Sequence, residues 1–240
     1  MRYTKGILSL LVAIMTLGAT MNAFGFLGFG NSASWKEEVL LHDGQKIIVE
    51  RSQTRGGRHE IGQEVPIAKH IISFSLPGTT RPITWESEFG MEPEKSNLTL
   101  LALDVVDNIP YLVTTPDGCI SYNKWGRPNP PYVFFRYDGK TWQRIQMREV
   151  PIVIKEANVV IGTQRMEQRL TEYSGPVTTD EIKKINAEAK SLDVRHLRTI
   201  IREPIKVPQT TECPDLNSPR YTSPKAPFPI SSPNRKNGDN

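Results

Sequence analysis

Polar and apolar residues alternate along much of the first two thirds of this chain, and short turn sequences interrupt the alternation at regular intervals. In "EEVLLHDGQKIIVERSQ" the dipeptide Asp43-Gly44 separates two apolar-rich runs. This is the strongest local signature of a β-hairpin, because both residues tolerate the positive φ angles of a tight turn. "HIISFSLPGTTRPITWESEF" predicts a second hairpin, with Ile72, Phe74 and Leu76 on one face of its first strand and Ile83, Trp85 and Phe89 opposite Thr84, Glu86 and Glu88 on its second. "NLTLLALDVVDNIPYLVTTP" predicts a third, turning near Asp107-Asn108. Its unbroken apolar run predicts a strand covered on both faces, placed at the centre of the sheet. "YVFFRYDGKTWQRIQ" predicts a fourth, turning at Asp138-Gly139.

Four consecutive hairpins make an antiparallel meander, which closes into a barrel, pairs as a sandwich or is covered by another element. Beyond Pro151, "PIVIKEANVVIGT" adds further strand and then the period changes. Thr178 followed by Glu181 is a capping box, and Ile182, Ile185, Ala189 and Leu192 recur at helical spacing. "RHLRTIIREP" reads as a last strand. The expected fold is therefore mainly β, a β-rich α+β domain with a short C-terminal amphipathic helix.

The ends differ from the middle. Residues 1–34 read as a secretory signal or N-terminal anchor, 35–203 as a single β-rich domain, and 204–240 as a disordered tail rich in proline and serine. "MRYTK" followed by "GILSLLVAIMTLGA" has the layout of an export signal, and Ser32-Ala33-Ser34 supplies small residues for cleavage. Residues 7–29 contain no charge, and about 20 apolar residues span a bilayer, so an uncleaved single-pass anchor is the alternative. The expected location is the periplasm, or the inner membrane with a periplasmic domain, and any membrane contact runs through this N-terminal segment alone.

Formal net charge is +4, half of that excess coming from Arg2 and Lys5 in the signal. What remains has no sustained basic stripe, so a nucleic-acid partner is not expected. The one basic cluster, Arg51, Arg55 and Arg58 around Gly56-Gly57, reads as a solvated loop, with a site for an anionic group as the alternative. Cys119 and Cys213 are the only cysteines. Either they form a disulfide that staples the tail to the domain, closing a loop of about 100 residues for about 4–5 kcal/mol, or they are two unrelated thiols.

Catalytic signatures are sparse. "HEIGQE" at His59, Glu60 and Glu64 lacks the second histidine of a zinc-protease helix, and neither a Gly-x-Ser-x-Gly elbow nor a glycine-rich phosphate loop occurs. No metal or cofactor is implied. Asp104, Asp107, Asp117 and Asp138 lie at or near hairpin ends, where the carboxylates of a hydrolase would converge, but aspartate at turns is also ordinary hairpin chemistry.

The most distinctive stretch is "CISYNKWGRPNPPY". Pro128, Pro130 and Pro131 stiffen it. Either Tyr122, Asn123, Trp125, Arg127 and Asn129 present a rigid binding surface to a protein or glycan partner, or Tyr122 and Trp125 fold back to cap the sheet. Together with "WKEEVLLHDGQKIIVERSQTRGGRHEIGQ" and "IIREPIK", the phrase "SYNKWGRPNPPYVFFRYDGKTW" resembles a group of exported proteobacterial proteins of unknown function over about residues 35–206. The resemblance implies a Gram-negative envelope setting and supplies no activity or site residue. The expectation is a non-enzymatic envelope protein with a binding or structural role. The alternatives are a periplasmic hydrolase using turn carboxylates and an immunity-type inhibitor of a periplasmic toxin.

Overall fold

The computed structural model describes residues 32–56, 65, 67–87, 98–161, 164–188, 195–206 and 213. Two antiparallel four-stranded meanders dominate it. The first sheet contains β1 (Ser32–Leu40), β2 (Lys46–Arg55), β3 (Ile67–Ser75) and β4 (Pro82–Glu86) in sequential order. The second contains β5 (Leu98–Val106), β6 (Ile109–Pro116), β7 (Val133–Tyr137) and β8 (Trp142–Ile145), also in sequential order. No strand is shared, so the meander forms a sandwich-like α+β fold and not a closed barrel.

The four expected hairpins are all present. Asp107 and Asn108 turn with φ of 52° and 61°, the paired left-handed residues of a type I′ turn, whose twist matches that of the strands it joins. Alternation sets the inward faces. Val39, Val49, Ile72, Phe74 and Trp85 of the first sheet meet Leu100, Leu103, Leu112 and Phe135 of the second in one buried cluster, with Trp85 and Phe135 ring centroids 5.6 Å apart.

Sequence pattern predicted that the apolar run of β5 is covered on both faces, and it is. The register slips between Leu100 and Ala102, so this bulge sends Leu101 and Ala102 to the opposite side from Leu100 and Leu103. There they join Val113, Phe134, Ile154 and Ile200 in a second buried cluster. The expected central position is corrected: β5 is an edge strand. Its cover comes from the chain beyond residue 146, which lies over the outer face of the second sheet.

Much of the β5 edge is satisfied by one residue, Asn158, whose backbone N donates to Leu101 O (3.2 Å). Leu103 N donates to Asn158 Oδ1 (3.0 Å), while Asn158 Nδ2 donates to Leu103 O (2.8 Å) and to Leu40 O of β1 (2.9 Å). The same residue thus ties the two sheets together on this side. On the other side Trp142 Nε1 of β8 donates to Thr84 O of β4 (2.8 Å).

Four helical segments of more than three residues occur among the described residues: α1 (Gly118–Lys124), α2 (Gln164–Leu170), α3 (Thr179–Glu188) and α4 (Arg195–Arg198). The expected capping box opens α3, with Thr178 N donating to Glu181 Oε2 (2.8 Å) and Glu181 N to Thr178 Oγ1 (3.3 Å). Ile182 is buried, whereas Ala189 and Leu192 lie outside the described residues. Just before α3, Val177 exchanges backbone bonds with β1, donating to Lys36 O and accepting from Glu38 N, both at 2.8 Å.

Two expected strands are corrected. Among its described residues "PIVIKEANVVIGT" contributes only an isolated bridge from Glu156 to Thr199. "RHLRTIIREP" begins as the helical turn α4, closed by Thr199 N donating to Arg195 O (2.9 Å), before Ile200 N reaches Lys155 O (2.8 Å). At the chain start, Ser32-Ala33-Ser34 are part of β1, with Ala33 buried and opposite Gln53. Residues 1–31 and, Cys213 excepted, the tail from residue 207 onward lie outside the described residues.

Candidate functional site

The distinctive stretch contains a helix that the sequence reading did not anticipate. α1 ends at Trp125, and its last carbonyls are taken up by Gly126 N on Asn123 O (3.0 Å) and Arg127 N on Tyr122 O (2.9 Å), with Gly126 at φ 84°. This is the left-handed C-terminal cap that glycine supplies without steric cost. "Lys-Trp-Gly-Arg" carried that stop signal, but only seven residues precede it, too few for a visible helical period.

α1 and its cap bring the five nominated residues together, and the neighbouring structure uses them. Tyr122, Asn123 and Trp125 are buried. Trp125 stands edge-on to Phe135 at 6.0 Å, inside the cluster between the sheets. Asn123 Nδ2 donates to Cys119 O (2.9 Å), and Asn123 Oδ1 accepts from Arg127 Nη1 (3.0 Å). Arg127 lies over the Tyr122 ring at 5.1 Å and also donates to Cys213 O (3.2 Å). Asn129 is exposed, yet its Oδ1 accepts Ile205 N (2.9 Å). Cys119 and Cys213 form a disulfide with Cα atoms 5.2 Å apart. The geometry is that of a clasp: aromatic faces turn inward, and polar groups fasten residues 205 and 213 to the second sheet.

The basic cluster is corrected as well. Arg51 and Arg55 lie on the inward face of β2, not in a solvated loop, and Arg58 lies outside the described residues. Arg51 Nη1 donates to Glu37 Oε1 and to Val160 O, both at 2.7 Å, and Arg51 Nε donates to His70 Nε2 at 3.3 Å. Glu37 also accepts from Trp35 Nε1 and Val160 N. Arg55 pairs with Glu167 of α2 through both Nε (2.9 Å) and Nη2 (2.7 Å). His70, fully buried beside the Arg51 guanidinium, is held well below the ordinary histidine range, first by desolvation and then by that charge, which outweigh the Leu98 backbone. It is neutral, and accepting from Arg51 at Nε2 leaves its proton on Nδ1.

The turn carboxylates separate. Asp138 is consumed by its own turn, accepting from the backbone of Lys140 and Thr141 at 2.8 Å, and those bonds hold its carboxyl below the usual range. Asp107 occupies the β5–β6 turn, and Asp117 precedes α1. Asp138 lines a separate groove beside the β5–β6 turn, whereas Asp104 faces a cleft with a partner that sequence reading missed. His42, just past β1, donates from Nδ1 to Asp104 Oδ1 at 2.8 Å, and its backbone N lies 3.3 Å from Oδ2. The Asp104 side chain is 6% exposed and that of His42 24%. The Asp104 hydrogen bond raises the His42 pKa against partial desolvation, and the charges of Asp104, Asp43 and Asp107 add to it. Accepting from His42 N and Val105 N, Asp104 acts as a fixed carboxylate that orients the ring, and His42 Nε2 has no hydrogen bond among the described residues.

This pair stands in a cleft of about 570 Å³ where the β1 and β5 edges meet Asn158, α3 and the 198–199 segment. Lys155, Lys183 and Arg198 line it together with Glu156. Neither Lys155 nor Lys183 has a carboxylate within salt-bridge distance among the described residues. α3 is held over the cleft by Asn186, which accepts Ile161 N (2.9 Å) and donates to Val159 O (2.8 Å). Thr179 is committed to the Glu38 carbonyl and carboxylate. Among the described residues no three histidine, cysteine or acidic side chains are placed to hold a metal ion. "HEIGQE" lies outside those residues.

Fold and site together define a disulfide-linked, sandwich-like α+β domain with a charged cleft at one pair of sheet edges. No protein-family model, curated protein or solved structure matches this chain. Among the described residues no helix is long and apolar enough to cross a membrane.

Proposed function

We propose that this chain is an exported, periplasmic protein of the cell envelope that acts as a non-enzymatic binding module, and that its ligand occupies the His42–Asp104 cleft. The observation that carries the reading is the cleft itself. It falls within the roughly 300–1,000 Å³ range of ligand sites, and it holds an oriented imidazole beside two lysines that no carboxylate among the described residues pairs with. The clasp formed by Tyr122, Asn123, Trp125, Arg127 and Asn129 then serves as scaffold. The disulfide and the uncharged run 7–29 support export.

Photo-crosslinking in living cells, from a reactive residue replacing Val153 at the cleft or Lys124 on α1, separates the two surfaces. Added mass on the protein carrying the Val153 probe is expected, and none on that carrying the Lys124 probe. The reverse result moves the site to the clasp, and no adduct from either overturns the binding reading.

The His42–Asp104 pair also favours a second reading, a hydrolase in which Nε2 relays a proton. It requires turnover that is abolished in a folded His42→Gln variant.

A further inference from the structure

We infer that the ligand of the cleft carries an oxyanion, a carboxylate or a phosphate, that docks against His42, Lys155 and Lys183. The inference rests on the reading of the cleft as a binding site and adds its chemistry. Three separate parts of the chain deliver these cations: the end of β1, the segment after Ile154, and α3. Arg198 of α4 lines the same space.

The opposing carboxylates are already engaged or lie to one side. Asp104 is spent on His42 and on the backbone of Val105. Asp43 and Asp107 sit in the two neighbouring turns and act on His42 through their charge. Glu156 is exposed and is the one other acidic residue lining the cleft. With Lys155, Lys183 and Arg198 against Asp104 and Glu156, the described lining carries a cationic excess, to which protonated His42 adds, and this excess draws an anion into the cleft.

Asp104 gives the site a second property. Because it fixes Nδ1 as the donor, Nε2 is the atom left for the ligand. Neutral His42 offers an oxyanion only a lone pair there, whereas protonated His42 offers a donor and a full charge. Affinity for an oxyanion therefore falls as pH rises through the His42 titration.

Sulfate is the first probe, since it keeps its charge throughout the range, and succinate is the second. Binding is measured by calorimetry on the oxidised protein at constant ionic strength. Sulfate affinity is expected to fall about fivefold or more between about pH 5.5 and about pH 8. Lys155→Ala/Lys183→Ala, at two exposed positions, is expected to lose binding with its melting temperature unchanged, and His42→Gln to bind weakly with a flat pH profile. Tighter binding of sulfate than of succinate identifies a phosphate-type ligand, and the opposite order a carboxylate. Sulfate and succinate binding that is absent, independent of pH, or unaltered by the double lysine variant overturns the inference. If the Val153 photoprobe still captures a ligand, that result leaves the binding reading standing, and the two failures are told apart.

Discussion

Asn158 and Leu103 form a reciprocal pair in which a side-chain amide stands in for a neighbouring strand: Oδ1 accepts from the Leu103 N–H and Nδ2 donates to the Leu103 carbonyl. The second Nδ2 hydrogen reaches Leu40 in the other sheet, so one residue satisfies two edges that would otherwise hold unpaired backbone groups.

Asn158→Ala is therefore expected to cost about 2–4 kcal/mol, the range for leaving more than one partly buried backbone group without a partner. Urea denaturation checks this. A loss under about 0.5 kcal/mol would show that water replaces the amide at both edges.

Glu37 and Arg51 are 0% and 2% exposed at their side chains. Glu37→Leu alone leaves a buried guanidinium and is expected to destabilise by about 3–5 kcal/mol, whereas Glu37→Leu/Arg51→Met is expected to recover most of that loss. A double-mutant cycle by chemical denaturation reads the coupling. Equal losses in the single and double variants would mean that packing, and not charge pairing, governs the site.

Three histidines give the pH profile opposing slopes. Buried His70 has a depressed pKa, so below the unfolded value of about 6.5 the unfolded chain binds a proton that the native state refuses, and stability falls with acid. His196, lowered by burial, acts in the same direction. His42 has a raised pKa; its contribution is complete below about 6.5 and is lost as pH rises through the folded value. Stability is expected to peak near pH 6.5. In His70→Gln the acid-side slope, at most about 1.4 kcal/mol per pH unit for one proton, is expected to shrink, and an unchanged slope would assign it to other groups.

The Cys119–Cys213 bond spans 94 residues. Replacing both cysteines by alanine is expected to cost about 4–5 kcal/mol in the chain-entropy treatment. Thermal melts of the oxidised, reduced and double-alanine proteins check it, and coincident melting curves would show that the Arg127 and Asn129 contacts hold the clasp without the bond.

The hairpins were legible because their information is local: an Asp-Gly or Asp-Asn turn between alternating runs fixes strand, face and register within some twenty residues. The same alternation, followed along "KIIVERSQTR", also carries Arg51, Gln53 and Arg55 onto the face of Ile47 and Val49. The cluster looks like a polar loop only when charge is given more weight than period. The His42–Asp104 pair had no comparable signal. Its members lie 62 residues apart, one in the turn after β1 and the other on β5, and neither position differs in sequence from an ordinary turn or strand residue. The stretch that forms the clasp left two readings open for another reason. Aromatic and proline content marks rigidity equally well in a binding surface and in a cap, and only burial separates them.

Thr179 Oγ1 closes on the carbonyl of Glu38, 141 positions earlier in the chain. Contacts of such long range are slow to form, because the chain must sacrifice much of its freedom before they return any stability. The outer edge of β1 is thus sealed by a segment far along the sequence, whereas each hairpin needs only neighbouring residues. The edge therefore closes late in folding, after the hairpins it borders, and the margin of β1 stays open to other strands until then.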